Sequence, residues 1–465
     1  MNLVRPTGRL VVVLWVATAA LFSYGVLGAV VVDNRVDSRT AVTYEVELPE
    51  GPAASQLRWV LARLGKGAPA SEIREHLAPS ALDAITPDEL NSVLIERGED
   101  GPFAVRAAEA EGPHDVSVFV AGARQNMTVD LVVEGNAPHR IVALRFHPIQ
   151  KREPYASFDE LVVALSRAAP EVGFLAAQVV DGECRAVTSL YQERPLAVAS
   201  AFKLYVLGAL AEGIARGDLR WEQVVPVRDD QRVHTSAHFG AQTGRREGTV
   251  QELGRAMIEV SDNTATDVLI GLVGRAAVEA ALGSMGMRDP SANIPFLSTR
   301  EMSHLKWGRP PAAADYLAQQ GAGARRQFLD ERLTKGPARE EDILFIKEPS
   351  QVDTVGWFAF ASDLCHAHVA LADMATRPGL EPLREILGAN TGLRFEPPPA
   401  HVAFKGGSEP GVLSGAWLIE TADGRRHAVV LLLRNSAGDI GTDTLRAAAD
   451  AYRLLLEDER TSVWR

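Results

Sequence analysis

The stretch 197-AVASAFKLYVLG-208 sets Ser200 and Lys203 three residues apart within an apolar run. One turn of helix brings both side chains to the same face. Apolar surroundings disfavour the charged form of a lysine and so leave an amine able to accept a proton. A serine hydroxyl becomes a nucleophile when such a base takes its proton. The S-x-x-K spacing is weak on its own, because Ser303-His-Leu-Lys306 satisfies it too.

Order along the chain separates the two pairs. After the helical TVQELGRAMIEV comes Ser261-Asp262-Asn263-Thr264, which in isolation reads as a helix N-terminus, since these side chains satisfy free backbone donors there. Farther on, Phe404-Lys405-Gly406-Gly407-Ser408 closes a strand and in isolation reads as a turn carrying a lysine. Ser200, Ser261 and Lys405 are 61 and then 144 residues apart, with two strands expected before the first and two after the last. An S-x-x-K, an S-D-N and a variant of K-[ST]-G in this order form a specific combination. Ser303 has no such companions.

On these motifs, residues 158–465 resemble the penicillin-recognising serine enzymes, the superfamily of class A β-lactamases and D,D-peptidases. With K-G-G-S in place of K-T-G and a small α+β domain in front, the chain is more narrowly similar to the actinobacterial Cpe/LpqF family, which includes the two-domain protein of clavulanic acid biosynthesis. The resemblance implies Ser200 as the acylated nucleophile, Lys203 as its general base and Ser261 as the hydroxyl that relays the proton to the leaving group. It implies that Asn263 binds a substrate amide and that Lys405 supplies positive charge for a carboxylate. The backbone N–H groups of Ser200 and Ser408 would form an oxyanion hole beside Gly407, a device that contributes a few kcal/mol per donor. Phe404 is expected either to line the substrate cleft or to belong to the core.

Two departures bear on substrate and turnover. Gly406 removes the hydroxyl that helps bind a substrate carboxylate, although Ser408 is placed to substitute in part. An E-x-x-L-N segment, whose glutamate activates the deacylating water in class A β-lactamases, does not occur between Thr264 and Ala400. Glu301, Glu340, Glu341 and Glu348 are candidates, each expected to be a solvated surface charge. The reading is therefore a serine hydrolase acting on a lactam, amide or ester with weak β-lactam turnover. The alternative is a β-lactam or peptidoglycan-fragment binding or sensor protein without efficient hydrolysis. A third reading has the front domain bind the ligand while the hydrolase domain serves as a scaffold.

The remaining features bound these readings. The formal charge of −12 argues against nucleic-acid binding, which needs a clustered positive surface. No cofactor is expected. His234 and His238, and His366 and His368 beside Cys365, lack a third ligand at metal-like spacing, so no metal is expected. Cys184 and Cys365 allow at most one disulfide. Leu10–Val32 runs 23 residues without a charge, long enough to span a bilayer, and is read as an anchor or a cleaved signal. Either reading puts the remaining chain outside the cytoplasm, membrane-anchored or secreted.

Three segments are expected, of overall α+β class: 1–33 as anchor or signal, 41–148 as a small domain and 158–465 as the hydrolase domain. In the small domain, helices at Ser55–Gly65, Ser71–Leu77 and Pro87–Arg97 precede period-two strands at Asp115–Ala121, Met127–Val133 and Arg140–Phe146. The resemblance implies a steroid-isomerase or cystatin-like fold there. In the larger domain, strands at Val172–Val180, Arg185–Tyr191, His401–Lys405, Ala416–Glu420 and His427–Arg434 frame a helical middle, which predicts one antiparallel sheet built from both ends. Trp59 and Trp357 read as core.

Overall fold

The computed structural model describes residues 41–462, apart from 83–84, 110–112, 150–152, 191–193, 234–235, 237, 241–244, 309–310, 334–347 and 439. The chain divides into two compact units, the first ending at Glu153 and the second beginning at Pro154. The apolar run 10–32 lies outside the described residues. Among those described, no helix is long and apolar enough to cross a membrane.

The first unit runs β1 (Val42–Tyr44), α1 (Pro52–Arg63), α2 (Ala70–His76), α3 (Pro79–Leu82), α4 (Pro87–Gly98), β2 (Phe103–Glu109), β3 (Asp115–Gly122), β4 (Asn126–Val133) and β5 (Ile141–Ile149). The strands form one sheet in that order, antiparallel except for the parallel β1–β2 pair. Alternate residues of β3 and β4, among them Val118, Val120, Val129 and Leu131, face Leu57, Leu61, Ile73 and Leu94 of the helices in one core. The period-two signal marks β3, β4 and β5 but misses β1 and β2. β1 has only three residues, and a bulge between Val105 and Ala107 breaks the alternation of β2. Trp59 is half-buried and not a core residue: its indole donates to Glu72 at 2.7 Å and its ring stacks on His76 at 3.9 Å.

The second unit opens with α5 (Phe158–Ala168), β6 (Glu171–Val180), β7 (Glu183–Leu190), β8 (Leu196–Ala197) and α6 (Lys203–Ala215). It continues through β9 (Val224–Pro226), β10 (Glu247–Thr249), α7 (Val250–Glu259), α8 (Asn263–Val273), α9 (Arg275–Ser284), α10 (Thr299–Trp307), α11 (Ala313–Leu317) and α12 (Gly321–Arg332). Then come β11 (Phe358–Ala359), α13 (Ala361–Met374), α14 (Pro382–Gly388), β12 (His401–Glu409), β13 (Val412–Glu420), β14 (Arg426–Arg434) and α15 (Ala447–Ser462).

Its main sheet is antiparallel in the order β12-β13-β14-β6-β7, so β14 from the end of the chain pairs with β6 from the start of the unit. α5 and α15 cover one face with Leu161, Leu165, Tyr452 and Leu455. α6 and its neighbours cover the other in the largest core. β12 continues through the K-G-G-S run instead of closing at Lys405, because β13 already begins at Val412 and supplies it with a partner. The two- and three-residue strands β8 to β11 interrupt the expected helical middle and are too short to leave a periodicity. Trp357 is a core residue, stacked on Phe202 at 3.7 Å. Cys184 of β7 and Cys365 of α13 are joined in a disulfide.

Candidate active site

α6 is apolar all round, and Leu204, Tyr205, Val206, Leu207 and Leu210 are all buried. Such a helix belongs in the middle of a core, which fixes the turn that leads into it. The chain enters from β8, where the Val198 N–H donates to Trp357 O at 2.9 Å. Ala199 takes a left-handed φ of 41°, and Ser200 follows, half-buried, in the 3-10 turn Ala199–Phe202.

The second contributor lies between α7 and α8. Ser261 sits at φ 60°, a conformation that non-glycine residues seldom adopt and that clusters at functional sites. Asp262 alone caps α8, accepting from Ala265 N at 2.8 Å. Its other oxygen accepts from the backbone N–H groups of His238 (2.8 Å) and Phe239 (3.1 Å). The helix-cap reading of this run therefore holds for Asp262, while Ser261 and Asn263 on either side reach Lys203.

Lys203 Nζ lies 2.9 Å from Ser200 Oγ, 3.0 Å from Ser261 Oγ, 2.8 Å from Ser261 O and 2.7 Å from Asn263 Oδ1. The last two atoms can only accept, so they take both N–H groups of a neutral amine. The lone pair is then left facing the two hydroxyls. Lys203 is fully buried, and desolvation pulls its pKa down to about 7 against the opposing pull of Asp262 and Asp267.

β12 brings the third contributor. Lys405 Nζ donates to Ser261 Oγ at 3.1 Å and to Gly406 O at 2.8 Å. Burial and the nearby Lys203 hold its pKa well below the ordinary lysine value. Gly407 packs against the nucleophile: a Cβ there would lie 2.5 Å from Ser200 N and 2.4 Å from Val198 O. Ser414, opposite Gly407 on β13, donates to Val198 O at 2.6 Å.

Ser408 is half-buried and pairs with Leu413, which belongs with Phe404 to the core under α15. Directly opposed residues share a face of the sheet, so the Ser408 side chain lies on that face and not on the Lys405 face. Position 406 shares that face by strand alternation, a Cβ there meeting the Phe404 ring at 2.8 Å, so neither residue 406 nor Ser408 directs a side chain to the Lys405 face. Phe404 is buried against Trp417, ring centroids 4.9 Å apart, and against Gly392, so it is a core residue and not a cleft residue.

The candidate glutamates do not meet their surface expectation uniformly. Glu301 is buried, bound to Arg275 at 2.6 Å and part of the capping box that starts α10. Glu348 is exposed; Glu340 and Glu341 lie outside the described residues. His368 is buried in the core, its Nε2 3.1 Å from Ala416 O, and burial lowers its pKa to about 4. His234 is not among the described residues, and within those no group of three or more His, Cys, Asp or Glu side chains could hold a metal ion.

Asp267 was not singled out by the motifs, yet it stands one helical turn beyond Asn263 on α8 and accepts from Thr299 N (2.7 Å) and Arg300 N (2.9 Å) at the start of α10. Burial raises its pKa to about 6. An acid four residues after an asparagine, within the apolar NTATDVLIGLV, is the signal that could have flagged it.

Residues 156–330 match a family model described as the beta-lactamase enzyme family, less than half of the chain but spanning Ser200, Lys203, Ser261 and Asn263. The matched part of the second unit, residues 156–330, is accordingly β-lactamase-like. Residues 48–137 match the model of the ORF 12 gene product N-terminal region. Among solved structures, the chain is similar to the β-lactamase of Sphaerobacter thermophilus, at 20% identity and TM-score 0.45 over 64% of this chain and 94% of that one. It is also similar to PBP-A, at 13% identity and TM-score 0.44, with 66% and 100% covered. An ancestral class A β-lactamase of the Gram-negative lineage is similar at 18% and 0.45, with 64% and 98% covered. No curated protein matches the chain.

Proposed function

We propose that this chain is a serine hydrolase of the Cpe/LpqF type, acting through an acyl-Ser200 intermediate on a lactam, amide or ester, with weak turnover of β-lactams. The observation that carries the reading is the Lys203 amine, 2.9 Å from Ser200 Oγ with its two N–H groups committed to Ser261 O and Asn263 Oδ1. Lys203 takes the Ser200 proton as Oγ bonds to the substrate carbonyl carbon. The oxyanion is held by the N–H groups of Ser200 and Ser408. As the bond to the leaving group breaks, Ser261 hands that group a proton and is resupplied from Lys203. Lys405 shares Ser261 Oγ with Lys203, and burial together with this second amine holds its own pKa well below the ordinary lysine value.

Deacylation is where the alternative enters. Of the candidate glutamates, Glu301 is held by Arg275, which favours an adduct that persists, as in a binding or sensor protein for β-lactams or peptidoglycan fragments. Intact-mass and turnover measurements with a penicillin, a cephalosporin and a chromogenic ester, beside Ser200→Ala, decide between them. Turnover lost in the variant supports the hydrolase, and a stable adduct lost in the variant supports the sensor. Neither adduct nor turnover with any of the three would overturn both.

We place both units outside the cytoplasm, with 10–32 as membrane anchor or signal. The apolar run and the Cys184–Cys365 disulfide, a bond that persists in oxidising compartments, support this. Helices packed on one five-stranded sheet support a steroid-isomerase or cystatin-like fold for the first unit.

A further inference from the structure

The second S-x-x-K pair has a different use from the first. Ser303 Oγ donates back to Thr299 O at 2.9 Å within α10, so it makes no pair with Lys306. Lys306 Nζ instead crosses to Glu409 Oε1 at 2.6 Å, and both side chains are buried or nearly so. Glu409 ends β12, and strand alternation places Lys405, Gly407 and Glu409 on one face, each about 7 Å from the next. Gly407 in the middle of that row is the residue packed on the Ser200 amide. Val412, opposite Glu409, packs with Ala199. The ion pair therefore lies on the Lys405 face of β12, two residues beyond the glycine that packs on Ser200 and at the opposite end of the row from Lys405.

We infer that the Lys306–Glu409 pair sets the charge of the acyl donor, cancelling a cation on that face so that Ser200 takes neutral esters or amides in preference to carboxylate-bearing ones. The inference rests on the serine-hydrolase reading and narrows its substrate class. Neither group has to touch the substrate, because an unbalanced charge at this distance in a poorly solvated position acts through its field. The rest of the row agrees. Lys405 Nζ is committed to Ser261 Oγ and Gly406 O, and Ser414 beside Gly407 is a neutral side chain turned to Val198 O.

The test compares Ser200 acylation, read by intact mass and p-nitrophenol release, for p-nitrophenyl butyrate and the mono-p-nitrophenyl ester of succinic acid. Wild type is expected to favour the butyrate. Glu409→Gln, which leaves Lys306 unbalanced, is expected to shift the rate ratio roughly tenfold toward the succinate ester. Lys306→Gln is expected to shift it the other way, so either variant alone reads the effect if the other does not fold. The double variant Lys306→Gln/Glu409→Gln, with no charge at either position, is expected to return to the wild-type ratio. A wild-type preference for the succinate ester, or a ratio that stays fixed in the folded single variants, overturns the charge assignment while leaving the hydrolase intact. Failure of both esters to acylate wild-type Ser200 overturns the hydrolase reading, and the charge assignment with it.

Discussion

Ser261 Oγ stands between two amines, 3.0 Å from Lys203 Nζ and 3.1 Å from Lys405 Nζ. Two ammonium groups so close in a buried site oppose each other's charge, so one of them is held neutral and available as a base. At the same scale, Gly407 is required by contact. Any side chain there meets the backbone of Val198 and Ser200, neither of which can yield as a flexible side chain would. Gly407→Ala is expected to lower the acylation rate by about 100-fold or more, the scale of losing one oxyanion donor, and to lower the unfolding midpoint as well, because the backbone must shift to admit the methyl group. Stopped-flow acylation beside thermal unfolding checks this. That Ser200, Lys203 and Ser261 meet was legible from motif order, because spacing along a helix and residue type are local properties. Phe404 was not, since which face of a strand it occupies depends on partners nearly independent of its neighbours in sequence.

Between residue and domain, α8 and α10 hold the site through their ends. Asp262 satisfies three backbone N–H groups, at Ala265, His238 and Phe239. Asp262→Ala leaves buried donors without an acceptor and is expected to cost about 1–3 kcal/mol, measured by urea unfolding. Because Ser261 and Asn263 flank it, the acylation rate is expected to fall as well. The cap was legible in S-D-N-T, but not which of its four residues would serve as cap and which would face the lysine. That division is set by the left-handed backbone at Ser261. β12 shows the same limit: its extension to Glu409 comes from pairing with β13 and not from any alternation in K-G-G-S.

For the whole molecule, the strands that open and close the second unit pair into one sheet whose two faces its helices cover, and the Cys184–Cys365 bond ties β7 to α13 across 181 residues of sequence. A crosslink over so long a loop restricts the unfolded chain strongly, and replacing both cysteines with serine is expected to lower stability by about 2–4 kcal/mol, read from denaturant midpoints. The sheet built from both ends was legible because its long strands carry hydrophobic runs. The disulfide was only allowed by the cysteine count, since its partners meet through the fold. Lys203 as the base for Ser200 is tested most directly by the pH dependence of Ser200 acylation in the full chain, followed by intact mass between pH 5 and 9 with a chromogenic ester. With the folded Lys203 pKa drawn down to about 7, the amine is neutral above that pH and protonated below it. The rate is expected to rise through about pH 7 and level off above pH 8, with the adduct on Ser200. A rate that climbs only near the ordinary lysine pKa, or an adduct that survives Ser200→Ala, would contradict it.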